Sequence, residues 1–166
     1  MPNVEFEPEK LLEVLTRHGV RYVLIGGFAA VIHGSPYLTT DLDVVPDAAP
    51  DNLARLSDAL REVHARVWTD SDPQGVPFEH DSTSLAASRM WNLVTDLGRL
   101  DIAFEPSGTR GYTDVARDAV HLTILGTQVD VASLADVIRS KEAAGRDKDR
   151  LVLPVLRRIQ EATDRR

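Results

Sequence analysis

The chain has 166 residues, 43% of them hydrophobic and 27% charged, with a net charge of −7 and no cysteine. That length suits one domain, or one domain with a small helical appendage, and suffices to bury about 70% of the surface exposed by the unfolded chain. The lack of cysteine excludes a disulfide framework and a thiolate zinc site, and the acidic balance excludes a broad electrostatic grip on nucleic acid, so any RNA contact is expected to be local. No apolar run approaches membrane-spanning length, and the polar opening MPNVEFEPEK does not read as a signal peptide; a soluble cytoplasmic protein with no membrane contact is expected.

The first predicted element is a helix over Pro8–His18, with Leu11, Leu12 and Leu15 at helical spacing, proline in its first turn and Gly19 just past its end. Tyr22–Ile25 is a short apolar run of strand formers, followed at once by Gly26-Gly27, where a sharp turn or a close ligand approach needs residues without a Cβ. Phe28–His33 reads as a short helix stopped by Gly34. A second strand then opens on Asp41-Leu42-Asp43. Residues two apart in a strand share a face roughly 6.5–7 Å apart, so both carboxylates project to one side while Leu42 and Val44 enter the core. Two hard anionic oxygen donors so placed suit a shared divalent cation at about 2.0–2.1 Å.

Pro46–Pro50 breaks the chain before an amphipathic helix over Asp51–His64, striped with Leu53, Leu56, Leu60 and Val63. Thr69–Ser84 carries Asp, Ser, Pro and Gly without periodicity and is expected to be an exposed loop. Met90–Phe104 reads as a hairpin turning at Asp96-Leu97-Gly98, and on its second arm Asp101 alternates against Leu100, Ile102 and Phe104. A loop over Pro106–Gly111, a short helix over Tyr112–Asp118 and two strands, Val120–Leu125 and Gln128–Val131, follow. Ser133 to Asp136 resembles a capping box opening a helix through Ala144; Gly145 ends it, and a last helix runs from Asp147 to about Ala162, kinked or delayed by Pro154. His18, His33 and His64 sit at predicted helix ends in structural roles, and Trp68 and Trp91 read as packing residues rather than base-stacking platforms.

A Gly-Gly turn, a spacer of 13 residues from Phe28 to Thr40 and then Asp-x-Asp resemble the signature of the nucleotidyltransferase superfamily related to DNA polymerase beta. Within it the chain looks most similar to the AbiEii and MenT-like toxins of bacterial toxin–antitoxin systems. The resemblance implies an α/β (α+β) fold: a mixed, partly antiparallel sheet flanked by helices, with residues 1–132 as the nucleotidyltransferase core and 133–166 as a C-terminal helical segment packed on it. It implies that Asp41, Asp43 and Asp101 hold two Mg2+ ions, Mn2+ being able to replace them. Such a pair, roughly 3.5–4 Å apart, activates an attacking hydroxyl and neutralises charge on the transferring phosphate. Gly26 and Gly27 are then expected to admit the triphosphate to backbone N–H groups, although family members with serine at position 27 have a hydroxyl that this chain lacks. Lys141, Arg146, Lys148 and Asp149 resemble the family's C-terminal K-x4-R-x-K-D pattern, in which Lys141 is expected to be catalytic and to bind nucleotide together with Arg146, Lys148 and Thr39. Asp147 and Asp149 are expected to pair with neighbouring cations, one of them orienting Lys141.

The expected reaction moves a nucleoside monophosphate from an NTP to an acceptor hydroxyl and releases pyrophosphate. By resemblance to the toxins, the acceptor is the 3′ end of tRNA and a kinase-like antitoxin is a partner, with Thr39 a site of inhibitory phosphorylation. The alternatives are transfer to a partner protein, transfer to an aminoglycoside-type antibiotic, and a nucleotide-binding module without turnover. Three metal-binding carboxylates speak against the last.

Overall fold

The computed structural model describes residues 4–166, so the polar opening read from the sequence lies partly outside the described residues. Helix α1 (Pro8–Arg17) leads into β1 (Tyr22–Ile25), α2 (Gly26–Ile32) and β2 (Asp41–Pro46), the expected strand–helix–strand unit. Then come α3 (Pro50–Glu62), β3 (Arg66–Thr69), β4 (Asp72–Pro77), α4 (Ser82–Ala86), β5 (Met90–Thr95) and β6 (Gly98–Ala103). The chain closes with α5 (Tyr112–Arg117), β7 (Val120–Ile124), β8 (Thr127–Val131), α6 (Leu134–Ala144) and α7 (Asp147–Asp164).

The strands form one mixed sheet in the order β4-β3-β5-β6-β2-β1-β8-β7. Its joints are antiparallel except where β2 meets β6 and β1 meets β8. All four residues of β1 are buried, as the continuous apolar run Tyr22–Ile25 requires of a strand covered on both faces. Strands β2 and β6 alternate instead: Leu42, Val44, Leu100 and Ile102 are buried in the core, while the acidic residues between them face the other way. Helix α2 packs on β1 and β2 and touches α6, which packs along α7; α1 meets α3, and α3 meets α4. The β5–β6 turn is closed by Thr95, whose hydroxyl accepts the Leu97 N–H at 3.0 Å and donates to the Gly98 carbonyl at 2.8 Å.

The expected loop over Thr69–Ser84 is mostly regular structure. Strand β4 pairs antiparallel with β3 at the end of the sheet, and α4 follows. Backbone pairing rather than apolar alternation carries β4; an end strand tolerates Pro73 and Pro77, which a central strand would not. Gly75 fits there because a side chain at that position would overlap Arg66 and Val94. Asp81 and Ser84 cap α4 reciprocally, a signal present in the sequence but read as loop chemistry.

Three smaller expectations change. Helix α2 begins at Gly26, two residues before the predicted start. Only half of the capping box at α6 forms: the Ser133 hydroxyl accepts the Asp136 N–H at 3.1 Å, while the Asp136 carboxylate binds Arg139 at 3.0 Å. Helix α7 runs through Pro154, which lies on the exposed side where water can reach the carbonyl left without a partner. His18 and His33 cap the C-termini of α1 and α2, and Trp91 packs as expected, stacked on Phe78 with its indole N–H on the Leu85 carbonyl. Among the described residues, no helix is long and apolar enough to cross a membrane.

Candidate active site

The parallel joint between β2 and β6 builds the site. It sets Asp43 directly beside Asp101 and Asp41 beside Arg99, all on the sheet face opposite the buried Leu42, Leu100 and Ile102. The three carboxylates converge until one oxygen of each lies within 4.8 Å of the others. Glycine is required beside them: Gly26 has φ +76, and a Cβ there would overlap the Asp43 carboxylate. Gly27 is tight but less so, since a Cβ on it would lie 3.1 Å from the Thr39 hydroxyl. That hydroxyl donates to the Asp41 carboxylate at 3.0 Å and holds it in place.

Burial and mutual repulsion disfavour full ionisation of the triad. Burial first and the Asp41 charge second push the Asp43 carboxyl up to about 6. Burial, then the charges of Asp43 and Asp41, push Asp101 up to about 7. Three crowded carboxylates fit a hard divalent cation, which relieves the repulsion that raises Asp43 and Asp101. The all-oxygen donor set suits a hard cation and offers nothing to a soft metal.

Opposite the triad, α6 and the start of α7 present the cations. Asp149, with no exposed surface, accepts the Arg146 Nε at 2.7 Å, the Arg146 backbone N–H at 3.2 Å and the buried Lys141 Nζ at 3.4 Å. Burial raises the affinity of Asp149 for a proton, but the hydrogen bonds and charges of Arg146 and Lys141 outweigh it and hold the carboxyl below its ordinary range. Asp149 thus orients Lys141, the role the sequence divided between Asp147 and Asp149; Asp147 is exposed and faces Arg150. One cleft of about 750 Å³ is lined by every residue singled out from the sequence: Gly26, Gly27, Thr39, Asp41, Asp43, Asp101, Lys141, Arg146 and Lys148.

Two residues that support the site were not singled out as functional from the sequence. Arg99 lines the cleft, stacks its guanidinium 4.4 Å above the Trp68 ring and donates to Asp101 at 3.3 Å. Trp68, read as plain packing, is the platform for that cation. Arg99 stands two before Asp101 on a strand, and this spacing was the available signal. Trp68 adjoins the segment read as loop, which hid its place in the sheet.

The Thr39–Asp41 bond carries a prediction. Thr39→Val keeps the shape and removes the donor, and activity should fall about 10–100-fold, the usual effect of losing a group that orients a metal ligand. Steady-state kinetics with Mg2+ titrated in both proteins checks it; an unchanged rate and Mg2+ requirement would show that the hydroxyl is incidental.

The fold and the site together define a nucleotidyltransferase. A family model described as aminoglycoside-2''-adenylyltransferase matches residues 9–153, and the chain belongs to that family. Two solved structures share the fold. The lincosamide antibiotic adenylyltransferase LnuA, bound to lincomycin, is 16% identical over 95% of this chain and 99% of its own, with a TM-score of 0.62. The protein TM1012 of Thermotoga maritima, assigned as a nucleotidyltransferase, is 14% identical over 97% of this chain and 96% of its own, with a TM-score of 0.53. No curated protein matches the sequence. The superfamily and fold expected from the sequence therefore hold, and an NTP and an acceptor are the partners of such an enzyme. The family shown is that of the aminoglycoside-2''-adenylyltransferases, not AbiEii or the MenT-like toxins specifically.

Proposed function

We propose that the protein moves a nucleoside monophosphate, AMP by its family's name, from an NTP to a hydroxyl of a small antibiotic-like acceptor. The observation that carries this reading is a single cleft with three converged carboxylates on one wall and Lys141, Arg146 and Lys148 on the other. Asp41, Asp43 and Asp101 would hold Mg2+ or Mn2+, which when bound supplies charge neutralisation at the phosphate and activation of the hydroxyl. Lys141 is fixed by Asp149 and offers a point charge to the triphosphate; exposed Arg146 and Lys148 extend that charge outward. Gly26 and Gly27 leave the floor of the cleft open to the phosphates. The acceptor oxygen bonds to the α-phosphorus, the bond from that phosphorus to the β-phosphate's bridging oxygen breaks, and pyrophosphate leaves. The hydroxyl proton passes to a triad carboxylate or to water.

The toxin reading, with the 3′ end of tRNA as acceptor and a kinase-like antitoxin acting on Thr39, is the competitor. A net charge of −7 gives RNA little to hold. Incubation with Mg2+ and each α-labelled NTP, against kanamycin, lincomycin, total tRNA and cell protein, decides between them. Label on an antibiotic is the expected result. Label on tRNA ends would establish the toxin reading, label on one protein the protein-modifying reading, and nucleotide binding without transfer a binding module.

A further inference from the structure

The parallel joint of β2 and β6 gathers four side chains on one patch of the sheet face: Asp41 beside Arg99, and Asp43 beside Asp101. Three of them are the triad. The fourth is a cation, and a bare positive charge beside a site for divalent ions would only weaken their binding. The way Arg99 is held points to another role.

Arg99 leans away from β2. Strand β5 lies between β6 and β3, and the guanidinium reaches across it to stack 4.4 Å from the centre of the Trp68 ring on β3. From there it donates to the Asp101 carboxylate at 3.3 Å, the only basic group bonded to Asp101 among the described residues. Its Nε is buried with no hydrogen-bond partner among those residues. An arginine that served packing alone would be expected to pair that N–H or leave it in water. The orphaned donor marks a guanidinium pinned by Asp101 and Trp68 at the expense of its own remaining hydrogen bonds. Each outer carboxylate of the triad then has one fixed donor, Thr39 for Asp41 and Arg99 for Asp101.

We infer that Arg99 is a positioning residue that aims Asp101 at the metal, and that the β3–β4 hairpin at the end of the sheet belongs to the metal-binding apparatus through Trp68. The inference rests on the metal reading of the triad and extends it to a residue that does not line the cleft. A carboxylate with one oxygen tied to a guanidinium presents its other oxygen to an ion, and the ring keeps the guanidinium from swinging free. Two effects of Arg99 compete: its charge repels a divalent cation, and its hydrogen bond orders a ligand. About a third of the Arg99 side chain, 32%, remains exposed to water, which screens the charge, whereas the hydrogen bond acts at contact. Positioning therefore wins.

Mn2+ binding to the metal-free, full-length protein, read from the spin-resonance signal of the free ion, tests this without recourse to turnover. The wild type is measured first. No Mn2+ bound there would remove the metal reading of the triad and this inference with it, whereas a failure of nucleotidyl transfer alone would bear only on the reaction. Arg99→Met and Trp68→Leu should each weaken Mn2+ binding about 10–100-fold. Trp68→Phe, which keeps an aromatic face, should recover most of that loss. The double variant Trp68→Leu/Arg99→Met should bind no more weakly than Arg99→Met alone, since the ring acts through the guanidinium. If Trp68→Leu melts early in chelator, Trp68→Met, which fills the space with a flexible apolar chain, replaces it in the cycle. Tighter Mn2+ binding in Arg99→Met would mean that repulsion dominates. Unchanged binding in either single variant would mean a packing role, and additive losses that ring and guanidinium act apart; each of these overturns the inference.

Discussion

Asp43→Asn should inactivate the enzyme and stabilise it in the same stroke. Asp43 sits between Asp41 and Asp101, beside Gly26, and is the triad member with neighbours on every side. Neutralising it removes a pre-organised charge from the place where phosphate charge must be balanced, and turnover should fall by about 10²–10³-fold or more. The stability effect follows from the raised carboxyls. Asp43 at about 6 and Asp101 at about 7 bind protons more tightly in the folded chain than in the unfolded one. Between those values and the ordinary carboxylate range the folded state holds the extra protons, so the stability of the metal-free protein falls as pH rises from about 4 to about 7 and levels above that. At pH 7.5 the ionised triad opposes folding, and Asp43→Asn should recover on the order of 1–3 kcal/mol of it. Thermal melts in chelator at pH 5 and pH 7.5 check this. The wild-type midpoint should drop over that interval, the variant's should drop less, and added Mg2+ should raise only the wild type strongly. A variant that is less stable at pH 7.5, or that turns over normally, would contradict the arrangement.

Asp149→Ala is the second large effect, and it falls on folding and function together. The substitution leaves Lys141 buried with no counter-charge and frees Arg146 at the start of α7. Breaking a buried ion pair from one side costs about 3–5 kcal/mol, because the remaining charge has lost its partner. Replacing both members, Lys141→Met with Asp149→Leu, should restore much of the stability while NTP affinity stays lost. Denaturant unfolding and nucleotide binding measured on the three variants separate the two roles. If the double variant binds NTP like the wild type, the buried pair serves packing alone.

The sequence made the centre of the molecule legible and left its edge obscure. Asp41 and Asp43 could be paired from alternation, and Asp101 from the strand it interrupts, because buried strands carry apolar residues at fixed spacing and an acid among them stands out. Asp149 was visible as a cation's partner, but not as the shared acceptor of Lys141 and Arg146, since its burial depends on how α6 meets α7. The hairpin of β3 and β4 was invisible for a different reason. An end strand paired through its backbone needs no apolar pattern, and Pro73, Gly75 and Pro77 read as turn residues. Missing it also hid Trp68 and with it the support of Arg99. The acceptor, too, could not be read from motif, since the motif belongs to nucleotide and metal.

The two parallel joints of the sheet have a bearing on how the molecule comes into being. Strands β2 and β6 are separated in the chain by α3, the β3–β4 hairpin, α4 and β5, and their pairing is what brings Asp41 and Asp43 to Asp101. The β1–β8 joint spans still more chain. Local hairpins such as β5–β6 close quickly, whereas contacts between such distant segments must first meet a large loop-closure entropy. The three carboxylates are therefore expected to assemble late in folding, after the elements that carry them. Affinity for a divalent cation, followed in time after dilution from denaturant, becomes a clock for the slowest step of the chain's self-assembly, and a protein released unfinished is harmless to nucleotides until that step is complete.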